Sequence, residues 1–146
     1  RCSPAEIRRY LGRISGPLLD RIDLRVEMDA VPVEEIESSV RGESSADVRA
    51  RVLEARRRQT VRYAGLPFHC NAQLDQPGIE RFCGLEATAS KLLRQAVERF
   101  RLSMRAYGRI RKVARTVADL AGHDAIQVGD VALALQFRTA DGPYGG

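Results

Sequence analysis

The sequence predicts a mainly α-helical protein in which a helical domain follows a small α/β segment with one short strand. Apolar residues recur at helical spacing through most of the second half of the chain. One run near the N-terminus alternates apolar and charged residues instead, which is the period of a strand. Aromatic residues make up only 5% and tryptophan is absent, so we expect a core of aliphatic side chains, as helices often have.

Capping residues mark a helix at the N-terminus. Ser3 can cap it, Pro4 fits the first helical position, and Glu6 completes a capping box with the serine. We expect this helix to reach about Leu11, and Gly12 suits its C-terminal end. A turn at 15–17 then starts a short helical stretch over 18–21.

The strand follows directly. Its apolar positions alternate with aspartate, arginine and glutamate, and they are Ile22, Leu24, Val26 and Met28. A single strand cannot form a sheet, and no second convincing strand is present in the sequence. We therefore expect its partners in a longer protein of which this chain is a piece.

The remaining elements form the helical domain. Ser44 or Ser45 is expected to cap a long basic helix, and Ser103 to cap another that ends at Gly122. The predicted helical segments are 46–63, a turn at 77–83, 85–100, 104–121 and 128–137. The predicted organisation is an α/β segment over 1–30, a connector over 31–43, the helical domain over 44–138 and a flexible tail over 139–146.

The composition of the chain indicates which partners and which cellular compartment to expect. The net charge is +5, and 22 of the 24 basic residues are arginines. This excess is explained by a GC-rich genome, by phosphate handling, because the guanidinium fork suits phosphate oxygens, or by both. Three scattered cysteines without a CxxC pair argue against a disulfide framework and favour a reducing, cytoplasmic compartment. No apolar run approaches the ~18 residues of a membrane span, so we expect no membrane partner.

The first motif with chemical meaning spans residues 14–24, ISGPLLDRIDL. From the residues alone, the favoured explanation of Arg21 is an ion pair with Asp20, Asp23 or Glu27, which would contribute only about 0–1 kcal/mol if exposed. The motif resembles the arginine-finger region of AAA+ ATPases in the helix-insert group, most closely the ComM group of magnesium-chelatase-like competence proteins.

That resemblance implies a role for Arg21 as the arginine finger, acting in trans on the ATP site of a neighbouring subunit. A permanent planar cation suits the charge that develops on the terminal phosphate. Such residues accelerate hydrolysis by ~10³ to 10⁵. Arg13 is a second basic residue nearby, and a shared role stays open.

The second motif comprises LSMRAY at 102–107 and KVARTVADL at 112–120. It resembles the lid sequence of the same family that holds the sensor 2 arginine, which implies this role for Arg105. Arg105 falls in the first helical turn after Ser103, where free N–H groups and the helix dipole favour anions. Arg109 and Lys112 share its face, and Arg109 is a weaker candidate for nucleotide contact. Gly108 departs from the family, which usually has a histidine there.

The resemblance covers residues 1 to about 138 and includes the families of Mg chelatase subunits D and I. It implies a helical AAA+ lid, the C-terminal small domain, preceded by the end of the α/β AAA+ core. It also implies a homo-hexameric ring that uses ATP and Mg²⁺ and acts on DNA, in branch migration or remodelling during transformation or recombination. The alternative is a stand-alone helical module that binds DNA or protein.

Other candidate sites are weaker. The chain contains neither a GxxxxGK[ST] phosphate loop nor a Walker B pattern, so we expect it to bind no ATP and hydrolyse none on its own. No metal site is predicted: Cys2 would complete a metal knuckle only with residues upstream, and His69–Cys70 is a weak pair. The basic helix at 46–63 is explained by DNA contact, by a subunit interface or by simple solvation.

Overall fold

The computed structural model describes residues 3–11, 13, 18, 21–26, 28, 30–37 and 42–139. Helices dominate this part of the chain, which confirms the predicted mainly α-helical class. A short 3₁₀ turn lies at Asn71–Gln73, and the α-helices are α1 (Pro4–Leu11), α2 (Val33–Glu37), α3 (Ser45–Arg62), α4 (Gln76–Phe82), α5 (Ala87–Phe100), α6 (Met104–Ala121) and α7 (Val128–Thr139).

The capping box of α1 forms as predicted. The backbone N–H of Ser3 donates to Glu6 Oε2 over 2.7 Å, and the N–H of Glu6 donates back to Ser3 Oγ over 3.3 Å. These hydrogen bonds from Ser3 hold the pKa of the Glu6 carboxyl below its ordinary value. The expected end of the helix at Gly12 lies outside the described residues.

Caps also fix the two long helices. Ser44, one of the two predicted alternatives, caps α3 by accepting the N–H of Asp47 over 3.2 Å. Ser103 caps α6 by accepting the N–H of Ala106 over 3.1 Å. Gly122 ends α6 in the left-handed conformation at φ 80°, where a side chain would be strained. Helix α6, which contains most of the second motif, therefore begins and ends where the sequence predicts.

The predicted strand is not formed by the described residues between 22 and 28. Its apolar side chains, Ile22, Leu24, Val26 and Met28, are exposed. A strand requires a ladder of hydrogen bonds to a partner, and the described part of the chain offers it none. The N–H of Arg25 instead donates to the carbonyl of Phe137 at the end of α7 over 2.8 Å. The lone β-bridge in the described part joins Leu85 and Ile126.

The core lies between α5, α6 and α7, and α3 and α4 pack against α6. Its largest fully buried apolar side chains are Leu93, Ile110, Ile126 and Val131. Buried alanines let the helices approach closely, at Ala89, Ala96, Ala106, Ala114, Ala118 and Ala134. This confirms an aliphatic core, to which one small aromatic cluster adds the edge-to-face pair of Tyr63 and Phe82 at 5.2 Å between ring centroids.

None of the helices in the described ranges is both long and apolar enough to cross a bilayer.

Candidate functional site

A cleft of about 220 Å³ lies where the first two turns of α6 meet α4. Arg105, Arg109 and Lys112 all line it, as their shared helical face predicts. The other lining residues are Gln76, Ile79, Met104 and Gly108, so that the described residues contribute no carboxylate to the lining of the cleft. The sequence-predicted cations therefore meet in one concave, positively charged site.

The three cations have different surroundings. The ammonium of Lys112 donates to the carbonyl of Ala72 over 2.9 Å, and Arg109 forms an ion pair with Asp23. Arg105 is exposed, and its guanidinium has neither a hydrogen bond nor an ion pair to any residue that the structure describes. The cleft thus presents Arg105 as its accessible cation, while two further positive charges are already engaged.

The start of α6 adds to the positive potential at Arg105. Ser103 accepts the N–H of Ala106 through its hydroxyl and that of Tyr107 through its carbonyl. The preceding N–H groups of the first turn, at Met104 and Arg105, lie ahead of these bonds at the positive end of the helix dipole. A guanidinium beside a helix N-terminus is suited to a phosphate group.

Gly108 has a clear packing context. It is buried, and a Cβ built on it would lie 3.4 Å from Cδ1 of Ile79 and 3.9 Å from Oε1 of Gln76. A histidine at this position would have to displace those α4 side chains. The departure from the family pattern is therefore matched by close packing of α4 against α6.

Arg21, the predicted finger, lies in a turn and is exposed. Its N–H donates to the carbonyl of Leu18 over 2.9 Å. Of the three carboxylates proposed as its ion-pair partners, Asp23 pairs with Arg109 instead, whereas Asp20 and Glu27 lie outside the described residues.

Arg13, the neighbouring basic residue, is also exposed, and its guanidinium lies 5.9 Å from the ring centroid of Tyr10. This is a cation–π distance. The contact gives Arg13 a local partner within the N-terminal region.

Residues 22–25, which we call the linker segment, run beside α6 and α7. Asp23 pairs with Arg109, and the guanidinium of Arg25 donates to the carbonyl of Arg138. In return Arg138 Nη1 donates to the carbonyl of Ile22 over 2.9 Å. The candidate finger thus precedes a segment that is bound to the helix containing Arg105. The sequence gives no signal for these contacts, because they join residues far apart in the chain.

The later part of the second motif serves a structural purpose. Asp119 is fully buried, and its carboxylate accepts from Arg62 Nη1 and from Asn71 Nδ2, both over 2.9 Å. It also pairs with Arg115 at 3.2 Å. Hydrogen bonding to Asp119 raises the pKa of Arg62, so its charge is retained. This network ties α3 and the 3₁₀ turn to α6.

Arg115 is itself only 3% exposed and braces the loop after α6. Its Nη1 and Nη2 donate to the carbonyls of Asp124 and His123, each over 2.7 Å. Sequence reasoning missed this buried pair of Arg115 and Asp119. The available signal was their i, i+4 spacing directly after the buried Ala114 and Ala118.

The basic helix α3 is less available to phosphate than its composition indicates. Ion pairs engage four of its six arginines: Arg51 with Glu43, Arg57 and Arg58 with Glu54, and Arg62 with Asp119. Arg49 and Arg56 have no ion pair within the described ranges. A second cleft of about 280 Å³ lies between α3 and α6 and is lined largely by apolar and uncharged side chains, with Arg56 as its charged member.

The cysteines and histidines form no cluster suited to a metal within the described ranges. Burial raises the pKa of the Cys83 thiol to about 11. Cys2, the candidate last thiolate of an upstream knuckle, lies outside the described residues.

Comparison with known proteins identifies relatives along nearly the whole chain. Residues 42–138 match the family model described as magnesium chelatase, subunit ChlI C-terminal, and residues 1–36 match the model described as magnesium chelatase, subunit ChlI. The competence protein ComM of Haemophilus influenzae is 43% identical over 94% of this chain and 26% of its own length. The uncharacterized protein YifB of Escherichia coli is 42% identical over 97% of this chain and 27% of its own.

An uncharacterized protein of Mycobacterium bovis is 42% identical over 94% of this chain and 27% of its own length. The chain thus spans about a quarter of the length of these curated relatives. Since the C-terminal family model alone covers well over half of the sequence, the chain belongs to the magnesium chelatase family, as a ComM-type member.

Proposed function

We propose that this chain is the nucleotide-sensing C-terminal part of an AAA+ ATPase, in which Arg105 acts as sensor 2. The observation that carries the proposal is the state of Arg105, an exposed cation in the first turn of α6 with no partner in the described part of the chain. None of the described residues that line its cleft is acidic, and Asp23 beside Arg109 is already held in an ion pair, so an incoming phosphate meets little repulsion there. A charged hydrogen bond of this kind contributes about 1.5–3 kcal/mol.

The longer protein is proposed to use ATP and Mg²⁺, in line with its family. The cleft fits the nucleotide phosphates, since it offers a guanidinium and a helix N-terminus. It does not fit Mg²⁺, which prefers oxygen ligands and carboxylates above all. When bound, ATP supplies the phosphoryl chemistry and Mg²⁺ neutralises its charge. This chain contributes a cation that contacts the nucleotide.

Arg21 is proposed as the arginine finger toward a neighbouring subunit of a homo-hexameric ring. Its exposure and its position ahead of the linker segment support a role between subunits. Arg109, the weaker candidate for nucleotide contact, has its charge balanced by Asp23 in this arrangement. The proposed division places the end of the AAA+ core at 1–30, the connector at 31–43, the lid at 44–138 and a tail at 139–146.

ATP turnover by a protein that carries this chain together with its ATP-binding region tests both arginines. Arg21→Ala is expected to leave ATP binding nearly intact and to lower turnover about 10³-fold. Arg105→Ala is expected to weaken ATP binding, hydrolysis or both. Arg94→Ala, which removes an exposed arginine from α5, is the matched control and should change neither. Wild-type turnover of the Arg21→Ala protein would remove the finger assignment.

The longer protein is further proposed to act on DNA in the cytoplasm, by branch migration or remodelling. The name of the Haemophilus influenzae relative, a competence protein, and the net charge of +5 support this.

The rival proposal, a stand-alone DNA-binding module, requires that this chain bind DNA by itself. The internal ion pairs of α3 argue against it, because paired arginines contribute less to phosphate neutralisation.

A mobility-shift titration of the chain with duplex DNA at 50 and 200 mM salt separates the two proposals. A sensing lid predicts weak binding of this chain at either salt concentration. A DNA-binding module predicts tight binding that falls steeply between them.

A further inference from the structure

We propose that Arg109 is a positioning residue, which acts through Asp23 to hold the linker segment and with it Arg21 in a fixed place beside the helical domain. The inference rests on the proposed function of Arg21 as a finger. It assigns to Arg109 a role other than nucleotide contact. Under this proposal, the ion pair of Arg109 and Asp23 connects the helical domain to Arg21, the residue proposed to reach the next subunit.

Reciprocal contacts between the linker segment and the helical domain support this role. Asp23 pairs with Arg109 on α6, while Arg138 Nη1 donates to the carbonyl of Ile22 on one side of the pair. On the other side the N–H of Arg25 donates to the carbonyl of Phe137. The segment is therefore held by α6 and α7 at Ile22, Asp23 and Arg25, along its backbone as well as through side chains.

The candidate finger, Arg21, and the candidate sensor, Arg105, both lie close along the chain to the ion pair of Asp23 and Arg109. Arg21 precedes Asp23 by two residues, which is at most about 7 Å of extended chain. Arg105 precedes Arg109 by about one helical turn, or ~6 Å along the α6 axis. A shift of α6 at the nucleotide would thus reach Arg21 through this ion pair, while the hydrogen bonds from α7 hold the rest of the segment.

The pair does not contribute to the core. Both side chains are partly exposed, at 26% for Arg109 and 43% for Asp23, and neither belongs to the buried cluster. Replacing either residue should therefore leave the helical domain folded. This permits a test in which positioning and folding are separated.

The first test uses this chain alone and does not depend on any activity. Asp23→Asn is expected to speed hydrogen exchange at the Arg25 N–H at least fivefold, because the neutral amide loses the charge attraction to Arg109. The exchange of Ile110 in the core should stay unchanged. Asp124→Asn, which removes an exposed carboxylate near Arg58, is the control and should leave Arg25 unaffected. Unaltered exchange in Asp23→Asn would overturn the proposal.

The second test uses the ATPase that carries this chain. Asp23→Asn and Arg109→Ala are each expected to lower kcat at least fivefold with KM for ATP changed less than twofold. Arg109→Lys, which keeps a positive charge opposite Asp23 and adds no carboxylate to the cleft, is expected to retain most of kcat. A raised KM in Arg109→Ala would contradict the positioning role, since it would indicate direct contact with nucleotide.

The outcomes distinguish the finger role of Arg21 from the positioning role of the pair of Arg109 and Asp23. If Arg21→Ala turns over ATP at the wild-type rate, the finger assignment fails and the linkage loses its purpose. If Arg21→Ala is slow while Asp23→Asn and Arg109→Ala are normal, the finger stands and the linkage alone is wrong.

Discussion

At the scale of the residue, surroundings decide what an arginine does. Arg105 and Arg115 lie on the same helix, yet one is exposed in the first turn and the other is almost completely buried against Asp119. Residue type alone could not separate them. The cap at Ser103 placed Arg105 in the first helical turn from the sequence alone. The role of Arg115 depends on Asp119, four residues further along, and on loop carbonyls whose positions the sequence does not reveal.

The buried network predicts a large effect for Asp119→Ala. This change leaves the Arg115 guanidinium buried without its carboxylate, and Asn71 and Arg62 lose the same acceptor. Removing one partner of a buried ion pair typically costs about 3–5 kcal/mol. We expect the free energy of unfolding, measured by urea denaturation, to fall by about 3 kcal/mol.

The control for that experiment is Asp124→Ala. Asp124 also faces an arginine, Arg58 at 3.4 Å, but its side chain is fully exposed. Its loss should change the free energy of unfolding by less than about 1 kcal/mol. Equal effects of the two substitutions would show that burial of Asp119 is not what gives the network its strength.

Cys83 provides a pH prediction at the same scale. Burial raises the pKa of its thiol to about 11 from an ordinary value of 9.0, so the folded chain holds this proton more tightly than the unfolded chain. Its contribution to stability is therefore complete below about pH 9 and is lost as the pH rises toward 11. Urea denaturation across this interval should show a decline, and Cys83→Ala should make that decline shallower; an unchanged slope would contradict it.

At the scale of the element, local signals predicted helices well and the strand poorly. The boundaries of α6 follow from Ser103 and Gly122, which act within a few residues of the helix. The alternation at 22–28 is just as regular, but a strand also needs a partner, and the segment bonds to the end of α7 instead. Periodicity indicates which faces of a segment are apolar, but it does not show whether a partner strand is available to form the ladder of hydrogen bonds.

Two glycines of α6 give a prediction about the element itself. Gly108 is in the helix interior with room for a methyl group at ordinary contact distance, whereas Gly122 has φ 80°. We expect Gly108→Ala to raise the free energy of unfolding by about 0.5–1 kcal/mol, because glycine is a poor helix former. Gly122→Ala should lower it by about 1 kcal/mol through left-handed strain. Thermal unfolding of both variants measures the difference, and the same sign for both would contradict the assigned geometries.

At the scale of the whole molecule, the order of elements could be predicted but their contacts could not. The sequence places Arg105, Arg109 and Lys112 on one face, and the structure adds that Asp23 and the carbonyl of Ala72 engage two of them. Those partners lie tens of residues away. The cleft of the helical domain thus presents Arg105 as its accessible cation, and the linker segment joins this domain to the candidate finger, Arg21.

The central claim is that Arg105 contacts the terminal phosphate of a bound nucleotide. The most direct measurement compares the affinities of the ATPase carrying this chain for a non-hydrolysable ATP analogue and for ADP, in wild type and in Arg105→Ala. Loss of one charged hydrogen bond to the terminal phosphate should weaken the analogue about tenfold or more and leave ADP within twofold. Equal affinities of wild type and variant for the analogue, or an equal loss for both nucleotides, would contradict the claim.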